Sequence, residues 1–254
     1  MHFSTACAIV TGGASGLGEA TVRAIAEAGG RVVIFDRDAD RANALVDALG
    51  AAASFEQVDV TSEESVARAI SAACDRLGRI DVCVNCAGIA IAVKTTGKDG
   101  AHPLDAYRQT IDVNLVGTYN VARLAAVEME KNEPDDDGCR GVIINTASVA
   151  AFDGQKGQAA YAASKGGVAS SSLPMARDLA FSGIRVNAIA PGLFLTPMFE
   201  TALSEEAQAA LGQQVTFPKR LGRPAEFARM VQAMVENPYM NGATIRLDGG
   251  IRLP

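Results

Sequence analysis

The chain has 254 residues, 48% hydrophobic and 20% charged, a balance that supports one large folded domain and excludes a disordered chain. A formal charge of -6 without any Lys/Arg cluster excludes the electrostatic footprint of nucleic-acid binding. No apolar run approaches the roughly 20 residues that span a bilayer, and strand-like sequence begins within a few residues of Met1, so a cytoplasmic protein with no membrane span is expected.

Short apolar runs at 6–10, 31–35, 82–85, 142–145 and 185–189 alternate with helical periodicity at 17–28, 39–49, 63–77, 104–130 and 159–181. Weaker strand candidates at 54–58 and 244–247 bring the count to seven. This pattern predicts a single-domain α/β Rossmann fold over residues 1–254, a doubly wound seven-stranded parallel sheet with helices on both faces. Gly29, Gly50, Gly78 and Gly183 mark helix ends. Segments 88–103 and 193–223 show no regular pattern. Both follow strands, where an open parallel sheet binds its ligands, so they are the expected substrate loops.

Cys7, Cys74, Cys83, Cys86 and Cys139 form an odd set without disulfide spacing, which suits a reducing compartment. Cys83 and Cys86 make a CxxC, yet the only histidines are His2 and His102. The pair therefore reads as small residues on a buried strand and its exit turn, and no metal site is expected. Asp135-Asp136-Asp137 reads as a solvated acidic turn.

Thr11-Gly12-Gly13-Ala14-Ser15-Gly16-Leu17-Gly18 lies between the first strand and the first helix. Glycines there let the backbone turn tightly and approach a pyrophosphate, whose charge the helix N-terminus stabilises. The second strand ends in Asp36, whose carboxylate can accept hydrogen bonds from a ribose and would repel a 2′-phosphate, which points to NAD. Arg37 is the contrary signal, because its guanidinium can pair with that phosphate. Asp59-Val60 follows the third strand, where Asp59 suits either an adenine contact or a helix cap. Asn85-Cys86-Ala87-Gly88 closes the fourth strand with small residues beside the expected cofactor path.

Tyr161 and Lys165 are four apart on one helix, which places a phenol near an ammonium. A neighbouring positive charge favours phenolate, so the tyrosine is expected to titrate lower and to serve as general base on an alcohol or general acid on a ketone. Ser148 ends the fifth strand, where its hydroxyl can bond the substrate oxygen. Asn114, inside the preceding helix, can bind backbone or water and link Lys165 to solvent.

Together with Pro191-Gly192 and Asp248-Gly249-Gly250, these residues resemble the short-chain dehydrogenase/reductase family across essentially the whole chain. The resemblance implies that Ser148 orients substrate, Tyr161 exchanges the proton, Lys165 binds the nicotinamide ribose and lowers the tyrosine, and Asn114 joins the relay. It also implies that Gly12, Ser15, Gly16, Leu17, Gly18, Asp36, Asp59, Val60, Cys86, Ala87, Gly88, Pro191, Phe194 and Thr196 line the NAD site and that Gln158 faces substrate. Residues 140–152 and 157–161 are most similar to family members that oxidise the 3-hydroxyl of acyl-CoA thioesters, some of which also accept steroids.

The expected activity is NAD-dependent oxidation of a secondary alcohol on an acyl-CoA or steroid-like small molecule. A steroid dehydrogenase and a 3-oxoacyl thioester reductase are the enzymatic alternatives. A dinucleotide-binding scaffold would typically have lost Ser148, Tyr161 or Lys165, and all three are present. The apolar segment 193–199 suits a lid over substrate or a subunit contact. The helix 159–181 is apolar on nearly every face, and the resemblance implies a homotetramer packed through it.

Overall fold

The computed structural model describes residues 1–98, 100–197 and 204–253. Seven strands form one parallel sheet: β1 (Cys7–Thr11), β2 (Arg31–Asp36), β3 (Ala53–Gln57), β4 (Val82–Asn85), β7 (Gly141–Thr146), β8 (Ile184–Pro191) and β9 (Thr244–Leu247). Their order is β3-β2-β1-β4-β7-β8-β9. β1, β4, β7 and β8 are buried at every position, which explains their nearly unbroken apolar sequence.

Alternate strand residues feed two cores. Ala8, Val10, Ile34, Val84 and Ile144 pack against α1 (Gly16–Glu27), α2 (Ala39–Leu49) and a late helix, α8 (Pro224–Glu236). Ile9, Val33, Cys83, Ile143 and Val186 pack against α3 (Glu63–Leu77) and α5 (Gly117–Met129), with α6 (Ala159–Leu179) covering the same face. The predicted seven-stranded Rossmann architecture is therefore present, with strand bounds within two residues of the expected ones.

Three elements depart from the sequence reading. The expected helix 104–130 is α4 (Leu104–Ile111), a π-helical turn at Asp112–Val116, then α5. Segment 88–103 contains a short hairpin, β5 (Thr96–Gly97) with β6 (Gly100–Ala101). Segment 193–223 contains α7 (Glu205–Gln214), and α8 follows it where no helix was predicted.

α8 carries its own signal, since Phe227, Val231, Met234 and Val235 are buried at helical spacing behind Pro224 in the first turn. Its far end is fixed from β8. The buried Arg185 donates through Nη1 to the carbonyls of Met234 (2.7 Å), Asn237 (3.1 Å) and Met240 (3.0 Å), and through Nη2 to that of Val235 (2.7 Å). A guanidinium with no carboxylate partner among the described residues is thus held by the negative end of a helix.

The proposed lid divides. Phe194 is 5% exposed and packs edge-to-face on Phe227, so it belongs to the core as well as to the site edge. Met198 and Phe199 lie outside the described residues. All five cysteines are free thiols. Among the described residues, no helix is long and apolar enough to cross a membrane.

Candidate active site

Between β1 and β4 the strand order reverses, and the crossover helices leave on opposite faces. Such a reversal opens a crevice at the carboxyl ends of the strands. Here it is a cavity of about 380 Å³ walled by the turn after β1 and the segments after β2, β3, β4, β7 and β8.

At one end stands the glycine turn. Gly12 has φ of +61°, and a Cβ there would lie 2.8–2.9 Å from backbone atoms of Cys86 and Ala87. A Cβ on Gly18 would lie 2.1 Å from the Gly12 carbonyl oxygen. Any side chain at either position would push the turn out of the cavity. Ser15 occupies the N-cap of α1 and makes no side-chain cap, leaving the first-turn amides for an anion. Ser15, Gly16, Leu17 and Gly18 all line the cavity.

Asp36 also lines it, and the turn itself fixes the carboxylate: Oδ2 accepts the Ala14 amide and Oδ1 the Asp38 amide, each at 3.0 Å. Arg37 and Phe35 share this wall. Asp59 and Val60 stand beside it, and the alternatives for Asp59 separate: Ser62 caps α3, while Asp59 accepts from the Thr61 hydroxyl (2.7 Å) and amide (3.0 Å). Those bonds, with Arg37 nearby, hold its carboxyl below the usual range. Asn120 fixes the Val60 carbonyl at 3.0 Å.

β7 lies three strand spacings from β2, about 14 Å away. There the cavity meets Ser148, Tyr161 and Lys165, with Cys86, Ala87 and Gly88 from β4 and Pro191, Phe194 and Thr196 from β8. Ser148 heads a short 3₁₀ turn and accepts the Ala150 amide at 3.1 Å, which fixes its hydroxyl. Lys165 is 4% exposed and donates to the Thr146 carbonyl at 2.6 Å. Its Nζ lies 5.9 Å from the centre of the Tyr161 ring.

The expected lowering of Tyr161 by Lys165 is not found in the protein alone. Burial pushes the phenol above its ordinary value, and the hydrogen bond to Ser148 pulls it back. Burial also lowers Lys165 from 10.5 to about 8, which weakens the charge it was expected to apply. Cys86 is pushed up to about 11 by burial and carries no thiolate at neutral pH.

Asn114 and Gln158 do not line the cavity. Asn114 is fully buried on the π turn, where its Oδ1 accepts the Ile89 amide (2.8 Å) and its Nδ2 donates to the Ile89 carbonyl (2.9 Å). It therefore clamps the loop after β4, and Ile89 and Ala90 of that loop do line the cavity. The Gln158 Oε1 accepts the Gln155 amide at 3.0 Å, which directs it into its own turn. The Thr146 carbonyl, Gln109 and Val113 are site components that the sequence reading missed. A carbonyl has no sequence signature, Gln109 belongs to no motif, and Val113 stands on a π turn that the sequence does not announce.

Lys165 makes a pH-dependent contribution to stability. Between its folded value of about 8 and the unfolded 10.5, the unfolded chain binds the extra proton, so stability rises with pH across that window and is flat below it. The stability of the protein relative to a Lys165→Met variant, from urea titrations, rises by about 2–3 kcal/mol from pH 8 to 10. A pH-independent difference would show that Lys165 is not desolvated.

Comparison with known families matches the short chain dehydrogenase family over residues 6–207. The chain is 54% identical over 248 residues to the 3-hydroxyacyl-CoA dehydrogenase type-2 of Bos taurus, covering 97% of this chain and 95% of the relative. It is 52% identical over 250 residues to the Drosophila melanogaster protein of the same name, covering 98% of each. Its structure is similar to the crystal structure of 3-hydroxyacyl-CoA dehydrogenase type-2 from Mycobacterium avium, with a TM-score of 0.94 and 47% identity, covering 99% and 98% of the two chains. The family match covers most of the chain and the relatives nearly all of it, and the chain belongs to the short-chain dehydrogenase family of oxidoreductases acting on CH-OH groups.

Proposed function

We propose that the protein is an NAD-dependent dehydrogenase that oxidises the 3-hydroxyl of a 3-hydroxyacyl-CoA to the 3-oxoacyl-CoA. The observation that carries the reaction is that one cavity holds a glycine turn and Asp36 along one wall and Ser148, Tyr161 and Lys165 along another. Support for the thioester comes from the relatives named for that activity.

The residues fit a dinucleotide. The side-chain-free approach at Gly12 and Gly18, with the free amides of α1, suits a pyrophosphate, and Asp36 retains acceptor capacity for ribose hydroxyls. When bound, NAD supplies the acceptor for the hydride leaving the carbinol carbon. Ser148 hydrogen-bonds the substrate oxygen. Tyr161 takes the hydroxyl proton as the carbon–oxygen double bond forms, and in reverse returns it. Lys165, fixed by the Thr146 carbonyl, sets the electrostatics beside the phenol. Because burial raises Tyr161, oxidation accelerates as pH rises and reduction as pH falls.

The assembly we propose is a homotetramer, supported by exposed apolar side chains on the helical face: Leu104, Val116, Tyr119 and Val127 of α4–α5 and Leu173 of α6. A cytoplasmic setting is supported by the five free thiols.

Three measurements test these readings. NADH formation from 3-hydroxybutyryl-CoA is expected for the protein and falls at least a hundredfold in Tyr161→Phe, which still folds and binds NAD; near-normal turnover in that variant would remove Tyr161 from proton transfer. Asp36→Ala weakens NAD and narrows its advantage over NADP, with Arg37 left to meet a 2′-phosphate; an unchanged ratio of kcat/KM for the two cofactors would show that Asp36 does not read the ribose. Light scattering returns the mass of four chains, and a mass of one or two would remove the tetramer.

A further inference from the structure

Asn114 uses one hydrogen of Nδ2 on Ile89, and the other goes elsewhere. It is donated at 3.0 Å to the hydroxyl oxygen of Ser164, on the facing helix α6. Ser164 is fully buried, does not line the cavity, and donates its own proton to the Tyr161 carbonyl at 2.8 Å. Four direct hydrogen bonds thus join the Ile89 backbone, Asn114, Ser164 and the Tyr161 backbone. Both ends of this chain line the cavity.

We propose that Ser164 is a positioning residue that locks the first turn of α6, and with it the Tyr161 phenol, to the clamped loop after β4. The inference rests on the reading of Tyr161 as the proton-transfer group. Two features make the link consequential. A serine hydroxyl bonded to the carbonyl three residues back draws in the local helical turn, so its loss relaxes the backbone that carries Tyr161. Gln158 at the N-cap of α6 also makes no side-chain cap, and the backbone before it is tied to the same loop, where the Val93 amide donates to the Gly157 carbonyl at 2.9 Å. Ser164 adds, one turn further in, a side-chain tie between that loop's clamp and the helix.

Removing the hydroxyl leaves one Nδ2 hydrogen of Asn114 unmet in a buried site and takes away the side-chain tie between loop and helix, leaving the backbone bond from Val93 to Gly157. The effect falls on the alignment of Tyr161 with Ser148, to which the chemical step is sensitive at the scale of an ångström. The pyrophosphate and adenosine end of the NAD site, along Gly12–Gly18 and Asp36, lies outside this chain of bonds, so most of the affinity for NAD is preserved.

The test compares the full-length protein with Ser164→Ala, Ser164→Cys and Ser164→Thr in NADH formation from 3-hydroxybutyryl-CoA, with NAD affinity and thermal unfolding in parallel. Ser164→Ala and Ser164→Cys, which fill the space without a strong hydroxyl, lower kcat by roughly tenfold to a hundredfold and change KM and NAD affinity less than about threefold. Ser164→Thr restores most of kcat by keeping the hydroxyl. Unchanged kcat in both Ala and Cys variants, or losses that merely track NAD affinity or the folded fraction, would overturn the inference. Tyr161→Phe run alongside separates the two claims: if it retains full turnover, the reading of Tyr161 fails, whereas its inactivity with unaltered Ser164 variants leaves that reading intact and rejects the lock.

Discussion

The site depends on how closely two backbone turns approach. The turn after β1 meets the turn after β4 at Gly12, where the space beyond Cα is filled by the main chain of Cys86 and Ala87. Thr11 fastens the junction by accepting both the Cys86 and Ala87 amides on one hydroxyl, at 3.2 and 3.1 Å. With the two turns pressed together, the phosphate end and the nicotinamide end of the crevice become walls of one cavity. A larger gap would separate the amides of α1 from Lys165, and neither half could act on the same ligand.

Around that junction the polar groups are fixed by backbone more than by each other. Lys165 is held by a carbonyl, Asp36 by two amides, Asn114 by the amide and the carbonyl of one residue, and Arg185 by four carbonyls. Backbone groups do not titrate, so these anchors survive changes in protonation that would dissolve ion pairs. Lys165 shows the energetic side of the arrangement. A buried ammonium without a carboxylate is costly, and its depressed pKa records the cost. Such a group is retained where an unneutralised charge serves the chemistry.

The parts of the site that are legible in sequence are those fixed by short spacing. The glycine turn needs a strand before it and a helix after it, Asp36 needs only the end of β2, and Tyr161 and Lys165 need one helical turn between them. All of these line the cavity as expected. What fails depends on tertiary surroundings. The 3.6-residue period runs through 104–130 without interruption, so nothing in it announces the π turn that delivers Asn114. Tyr161 beside Lys165 suggests a lowered phenol, but burial outweighs a lysine turned to Thr146. Gln158 is aimed by a turn whose geometry the sequence does not display. The helix α8 differs from these, since its apolar spacing is present in the chain and needed only to be read.

The π turn at Asp112–Val116 carries one residue more than an α-helix would use for the same rise, so α5 leaves it about 100° out of phase with α4. Deleting any single residue from it would restore a regular helix and give a locally more ordinary backbone. The same deletion would swing Asn114 off Ile89 and rotate every downstream side chain of α5, turning Val121 and Ala125 away from the sheet. Length is therefore the quantity the fold constrains in this stretch, ahead of identity at most of its positions.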